Sequence, residues 1–457
     1  MGDFEEYGKA EFGDERLSKR LQKLLGQLAS DPTSSISGAC KDPYQAKAAY
    51  RFVGNDEVTV EAITKVTRDV TTASIKAAKP SVLLIIQDTS ELNYTNLKAT
   101  EGLGSISGRK TASGLEMHSA IAVSEAGEVF GLLAQKLWTR PPELFGQSNT
   151  RSKKLPIEEK ESNKWLETLD SIGPDFTESK QVVHICDREG DMYEFFSKAE
   201  KEGAQFLCRK SFNRNIEEEN GSKRLDSFTE ALPEAGRINV RVPRDSHTAR
   251  KARDAEVVIK YGRCTIKKPN TQPINDDLPE TIEVYVVSAT ETDPPAGQEK
   301  LFWRLITNVP TESFEDAVAR IQWYAQRWKI ELFHRTLKSG CKVEELQSET
   351  AEKLKKLVAI YSIIALQIML LCYVARAHPD KSCEIWLDDD EWKVIYRVAN
   401  RTKAVPEKPP TIQEAVVMIA KMGGFLARKS DGFPGVAVIW RGLTNLYAIL
   451  DAIPFLS

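Results

Sequence analysis

The sequence is short of the residues that build most zinc and redox sites. It has five dispersed histidines in 457 residues and seven cysteines, at positions 40, 186, 208, 264, 341, 372 and 383, none spaced as CxxC. An odd, scattered cysteine set argues against a disulfide framework, and so few histidines argue against structural zinc. Net charge is nearly absent as well, formally -3 with a pI near 6.1, which speaks against a uniformly basic nucleic-acid-binding chain. The opening MGDFEEYGKAEFGDE shows no signal-peptide pattern, so reduced thiols in a cytoplasmic setting are expected. Long uncharged runs are scarce: only 357–375, LVAIYSIIALQIMLLCYVA, is long enough to span a bilayer. Ser362 and Gln367 interrupt it and no second such stretch is expected, so it reads as a helix buried in a soluble core, with no membrane partner.

What is present is a soluble composition, 41% hydrophobic and 28% charged, with length for two or three domains. The acidic average conceals a basic stretch. Residues 241–268 hold Arg241, Arg244, Arg250, Lys251, Arg253, Lys260, Arg263, Lys267 and Lys268 against Asp245, Asp254 and Glu256.

The first 76 residues read as helical, with Leu17, Leu21, Leu24, Leu25 and Leu28 at spacings of three and four after Gly13 and Asp14. Arg16, Lys19, Arg20, Lys23, Lys47 and Arg51 equip this unit to dock on DNA; a structural cap with solvated charge fits equally well. From Pro80 the texture changes. SVLLIIQD reads as a strand buried on both faces of a mixed sheet, and EMHSAIAVSEAG with GEVFGLLAQKLW as a hairpin. A helix near 156–171 leads to a second apolar strand, QVVHICD, over 77–203 as a whole. Residues 204–309 favour strands and read as a β-rich insertion or second sheet; 310–375 return to helix, as one long element or two joined from Ser313, and 376–457 follow.

Both apolar strands end in a carboxylate, Asp88 and Asp187, and ligands to α/β sheets collect at strand ends. Taken singly, each acid is explained as a strand end or helix cap. With Glu331 from a facing helix they form a set of hard oxygen donors suited to Mg²⁺ and to in-line phosphoryl chemistry with paired ions. Tyr324, Arg327, Glu331 and Lys338 fall at offsets of 0, 3, 7 and 14, along one helical face. Cations beside the acid can hold phosphates; ordinary i,i+4 ion pairs account for the charges but leave Tyr324 without a reason.

YAQRWKIELFHRTLK, 324–338, carries the spacing Tyr, two residues, Arg, three, Glu, six, Lys, and it resembles the signature of the bacterial cut-and-paste DDE transposases of the insertion-sequence-four group, the transposon-five type in particular. The likeness runs through FGDERLSKR and AAYRFVGNDEV, LLIIQDTSELNYT, VHICDREGDMYEFF, Trp138 with RPPE, EEKESNKW and IAKMGGFLARKSDGFPG, nearly the whole chain. It implies a ribonuclease H-like mixed α/β core with a β-rich insertion, flanked by an N-terminal helical DNA-binding domain and a C-terminal helical dimerisation domain. It further implies Asp88, Asp187 and Glu331 as ligands for Mg²⁺, or Mn²⁺ in its place.

By the same resemblance the partners are double-stranded transposon-end DNA, target DNA and a second copy of the chain, in association with bacterial DNA. The ends are nicked, excised through hairpins and joined to target. Tyr324, Arg327, Arg335 and Lys338 are then phosphate contacts, Arg335 replacing a lysine; Arg209, Arg140 and Lys164 are end or flank contacts; and Trp303 stacks a flipped base. His334 is expected to pack, not to ligate. The sequence departs from the family in its acidic leading arm without tryptophan and in Glu91 after QDTS. A catalytically silent regulator and a non-enzymatic ribonuclease H-like scaffold remain alternatives at this stage.

Overall fold

The computed structural model describes residues 4–106, 111–141, 155–172, 176, 181–218, 221–242, 253–270, 277–429 and 431–456. The loop at 142–154 and Arg244, Arg250 and Lys251 of the basic stretch lie outside the described residues.

Local signals start the N-terminal helices, the first of them where expected. The Asp14 carboxylate accepts from the Arg16 amide at 2.9 Å and begins helix Glu15–Ser30, whose buried face is Leu21, Leu24, Leu25 and Leu28. Asp42 caps Pro43–Val53, with proline in its first turn, and Thr59 caps Val60–Ala78.

Twelve strands among the described residues form one sheet: β1 (Val82–Asn93), β2 (Gly104–Ser105), β3 (Ser113–Ser124), β4 (Val129–Trp138), β5 (Gln181–Cys186), β6 (Gln205–Arg209), β7 (Asn215–Glu218), β8 (Gly221–Arg224), β9 (Gly236–Val242), β10 (Arg253–Lys267), β11 (Thr281–Glu291) and β12 (Phe302–Thr307). Its order is β2-β3-β1-β5-β6-β12-β11-β10-β7-β8, with β4 on β3 and β9 on β10. β1 pairs with β3 antiparallel and with β5 parallel, and β5 with β6 parallel. This mixed sheet, flanked by N- and C-terminal helices, is a ribonuclease H-like core.

Two expectations change. The 204–309 segment is not a separate sheet, because β12 pairs with β6 and carries the core sheet onward into β11 and β10. Nor does β1 stop at Asp88. Its parallel pairing with β5 ends at Ile86, but its antiparallel ladder with β3 continues to Asn93 opposite Gly114.

Helix Ala351–Ala377 runs through the interior with most of its length buried, as expected of the uncharged run. The expectation of a single such run is corrected: Val436–Ile453 is also long and apolar enough to cross a membrane, yet it is far less buried. That C-terminal helix approaches Ile412–Met422 so closely that a Cβ on Gly442 would stand 1.8 Å from the Ile419 carbonyl oxygen.

Candidate active site at the ends of the core strands

The parallel register pairs Ile86 with Ile185; Asp88 stands two residues further along β1, and Asp187 is the first residue past the end of β5. The two acids are near enough for the Asp187 charge to act on Asp88. Asp187 accepts from the Glu189 amide at 2.8 Å and caps the short turn that follows. Asp88 accepts from its neighbour Thr89 N–H at 2.9 Å.

The third acid comes from the segment after β12. The helix begins at a Ser313–Asp316 capping box, runs as Phe314–Ala325, is interrupted at Gln326–Arg327, resumes as Trp328–Arg335 and widens into a π turn at Thr336–Gly340. Of the four residues expected along one face, Tyr324, Arg327 and Glu331 still line one cavity, while Lys338 falls on the π turn. What survives is the contact that matters locally: Arg327 meets Asp88 Oδ2 at 3.4 Å through Nη1 and holds Glu331 through Nη2. One guanidinium thus spans two of the three acids.

Asp88 is mostly buried, and burial, then the charges of Asp187 and Glu331, push its carboxyl up to about 7 against the pull of Arg327. Among the described residues no three His, Cys, Asp or Glu side chains stand close enough to grip an ion as they are placed. The donor chemistry nonetheless fits a divalent cation: three carboxylates within electrostatic reach of one another, with a guanidinium supplying the positive charge between two of them.

Beside the acids lies a cavity of about 760 Å³ lined in part by Arg209, Trp303, Tyr324, Arg327, Trp328 and Glu331. Trp303 is half-buried on β12 and meets Tyr324 edge-on, ring centroids 5.3 Å apart. Tyr324 is buried, and its Oη has no hydrogen-bond partner among the described residues. Arg209 donates to the Phe302 carbonyl at 3.2 Å. Arg335 is exposed, Lys338 is half-buried on the π turn, and His334 is buried, with burial foremost and then Lys338 and Arg327 driving its imidazole down to about 3.

Two of the expected DNA contacts are engaged internally. Arg140 pairs with Glu116 at 2.6 Å and Glu161 at 2.7 Å, and Lys164 is buried against Glu189 at 3.3 Å. In the N-terminal unit Arg16 pairs with Asp14 and Lys19 with Glu15, and Arg20 donates to the Gln45 side chain at 2.8 Å; Lys23 is exposed. Lys47 and Arg51 line an open cavity of about 710 Å³ with Lys41 and Tyr50.

Sequence reasoning missed two features. Trp328 keeps 42% of its surface exposed on the same cavity as Trp303, although it sat in plain view inside the signature. Behind Asp88, Gln87 forms a buried chain across three strands, reaching His184 on β5 at 2.9 Å and His118 on β3 at 3.2 Å, with Thr89 on His118 at 3.0 Å. The available signal was polarity out of place: Gln87 and His184 interrupt otherwise apolar strands.

The DDE-domain match makes this a DNA-processing enzyme of the DDE class. Family models match along the chain in order: Transposase DNA-binding over residues 4–58, Transposase DDE domain over 158–367, and Transposase Tn5 dimerisation domain over 363–455. The chain belongs to the DDE transposases of the insertion-sequence-four, transposon-five type. It is a cut-and-paste transposase that binds DNA and dimerises, and its DDE domain implies Mg²⁺-dependent catalysis. The DDE match spans Asp187 and Glu331 but begins after Asp88, so the inclusion of Asp88 rests on the strand register and on Arg327. Among solved structures, a piggyBac transposase synaptic complex with hairpin DNA matches at 10% identity over 82% of this chain and 73% of that one, with a TM-score of 0.36, a likeness too loose to carry weight.

Proposed function

We propose that Asp88, Asp187 and Glu331 are the acids that hold the divalent ions, Mg²⁺ or Mn²⁺, and that this one site nicks the inverted ends of the element, closes and reopens hairpins on them and joins them to target DNA. The observation that carries the reading is Arg327 spanning Asp88 and Glu331 while Asp187, just past the end of β5, acts on Asp88 through its charge. Bound ions would make a water or a 3′ hydroxyl nucleophilic and stabilise the leaving oxyanion. The three carboxylates would hold them, Asp88 giving up its proton as it does so.

Arg327 is held by carboxylates in the DNA-free chain, and an arriving end phosphate offers its planar fork an equivalent acceptor. Lys338 and Arg335 add charge on the far side of Glu331, and Arg209 adds it across the cavity. Hairpin closure bends one strand sharply near its end, which is easier when a base leaves the stack. The cavity between Trp303 and Trp328 offers that base an aromatic surface, and the unpartnered Tyr324 hydroxyl offers a hydrogen bond. Lys47, Arg51 and their neighbours on the N-terminal helices would read or grip the end, and the exposed C-terminal helix would meet the second protomer. The protein would work in the cytoplasm on bacterial DNA.

The test is cleavage of a duplex carrying the inverted repeat that borders the gene, with Mg²⁺ and an EDTA control. Asp187→Asn and Glu331→Gln should abolish cleavage while end binding in a gel shift persists. Cleavage surviving either change sinks the assignment.

A further inference from the structure

Strand β1 loses a neighbour just where it carries its acid. Its parallel ladder with β5 ends at Ile86 with Ile185, and beyond that pair the ladder continues with β3 alone, Asp88 opposite Ser119 and Thr89 opposite His118. Among the described residues the Asp88 carboxylate is held by two donors, the Thr89 amide at 2.9 Å and Arg327 Nη1 at 3.4 Å. Arg327 is the group that the proposed mechanism sends to a DNA phosphate. Where the carboxylate stands then depends on where Thr89 stands.

Thr89 is anchored from behind. Alternation along β1 turns Gln87 and Thr89 to the face away from Asp88. There the Thr89 hydroxyl donates to His118 Nδ1 at 3.0 Å, His118 Nε2 donates to the Gln87 amide oxygen at 3.2 Å, and the Gln87 amide nitrogen donates to His184 Nδ1 at 2.9 Å. The directions follow from one another, because a Gln87 oxygen facing Nε2 requires the His118 proton there and leaves Nδ1 to accept. One chain of hydrogen bonds thus runs from β5 through β1 to β3 and back to β1, past the point where the β1–β5 ladder stops.

The chain is dry. Gln87, His118 and His184 are buried, and Trp165 on helix Asn163–Ile172 covers His118 edge-on, ring centroids 4.7 Å apart. Burial holds both imidazoles below their usual range, so they act through hydrogen bonds and not through charge. Packing alone calls for apolar side chains here, as on the rest of these strands, and gives no reason for the chain to end on the residue whose amide caps Asp88. A fully satisfied buried network instead fixes a geometry.

We propose that His118, through Gln87 and Thr89, is a positioning residue for the reaction: it pins β1 on both sides of Asp88, so that the carboxylate is in place for a divalent ion and stays there when Arg327 leaves. The inference rests on the proposed metal site and names residues that set its affinity.

Full-length protein would be bound to a duplex that carries the inverted repeat and ends at the cleavage position, then titrated with Mn²⁺. Electron paramagnetic resonance reads the free ion, and the site is the Mn²⁺ held beyond that of an Asp88→Asn complex. Cleavage of an uncut duplex would be followed in parallel against Mg²⁺. Thr89→Val keeps the shape and the capping amide but removes the hydroxyl; His118→Leu removes both contacts of the ring. Each should raise the Mn²⁺ dissociation constant and the half-saturating Mg²⁺ about 10- to 100-fold, the usual cost of losing a group that orients a metal ligand. The rate at saturating Mg²⁺ should fall far less, and end binding in EDTA should not change. His118→Gln, whose amide nitrogen can still donate to Gln87, should recover part of the affinity. Ile282→Ala, a buried truncation on β11, four strands from β1, should lose stability and keep the wild-type Mn²⁺ constant. If His118→Leu does not fold, Thr89→Val decides. Variants that hold Mn²⁺ as wild type does, or an equal shift in Ile282→Ala, overturn the inference alone. Wild type that holds no more Mn²⁺ than Asp88→Asn overturns the acid assignment, and this inference with it.

Discussion

Asp88, on β1, and Asp187, the first residue past the end of β5, each follow the last parallel pair, Ile86 with Ile185, by two residues. Nothing in the hydrophobic core requires two carboxylates there, and burial with mutual repulsion raises Asp88 to about 7. A position that costs stability in the metal-free chain is where a bound cation gains most.

Asp88→Asn should therefore split stability from activity. Because the native carboxyl is raised to about 7 while the unfolded one titrates near 3.8, its ionisation destabilises the native state above pH 7. Without metal, the variant should melt at or above wild type at pH 8, the advantage shrinking as pH falls from 7 towards 4, while cleavage drops by about three orders of magnitude or more. Calorimetry in EDTA beside a cleavage assay checks both halves.

Trp303→Ala should slow hairpin closure about 5- to 100-fold, the worth of one stacked base, and leave the first nick within about twofold. Denaturing gels resolve nicked from hairpin products over a time course. Equal loss in both steps would remove the stacking role from Trp303.

Two elements of the account were legible in the sequence because each depends on local chemistry. Asp14 and Asp42 are helix caps by type and position, and the 357–375 run could be buried only inside a large core. What escaped depends on distant pairing. The continuation of β1 past Asp88 is dictated by β3, and the union of 204–309 with the core sheet by the β6–β12 ladder. The break at Gln326–Arg327 holds ordinary helix-forming residues, so no local signal marks it, whereas the π turn ends on Ser339–Gly340, a local signal for the end of a helix.

Stability should fall on mild acidification. His184 is buried neutral, its imidazole driven by burial to about 4 from the usual 6.5, and Gln87 donates to its Nδ1. A depressed folded pKa gives stability that is complete above pH 6.5 and lost as pH falls towards 4, amounting to about 3 kcal/mol. His184→Asn should flatten the melting curve against pH across that window, and an unchanged slope would show that His184 does not govern it.

Gly442→Ala should cost about 1–3 kcal/mol, because the added methyl meets the Ile419 carbonyl and forces the last helix off Ile412–Met422. Chemical denaturation measures the cost, and sedimentation measures whether the dimer on DNA weakens with it.

The most direct test is anomalous diffraction from the transposase bound to its end DNA and Mn²⁺. The account predicts manganese at about 2.0–2.2 Å from carboxylate oxygens of Asp88, Asp187 and Glu331, with Arg327 turned from the acids to a DNA phosphate. Manganese bound without Asp187, or Arg327 still on Asp88 with the ions in place, would contradict it.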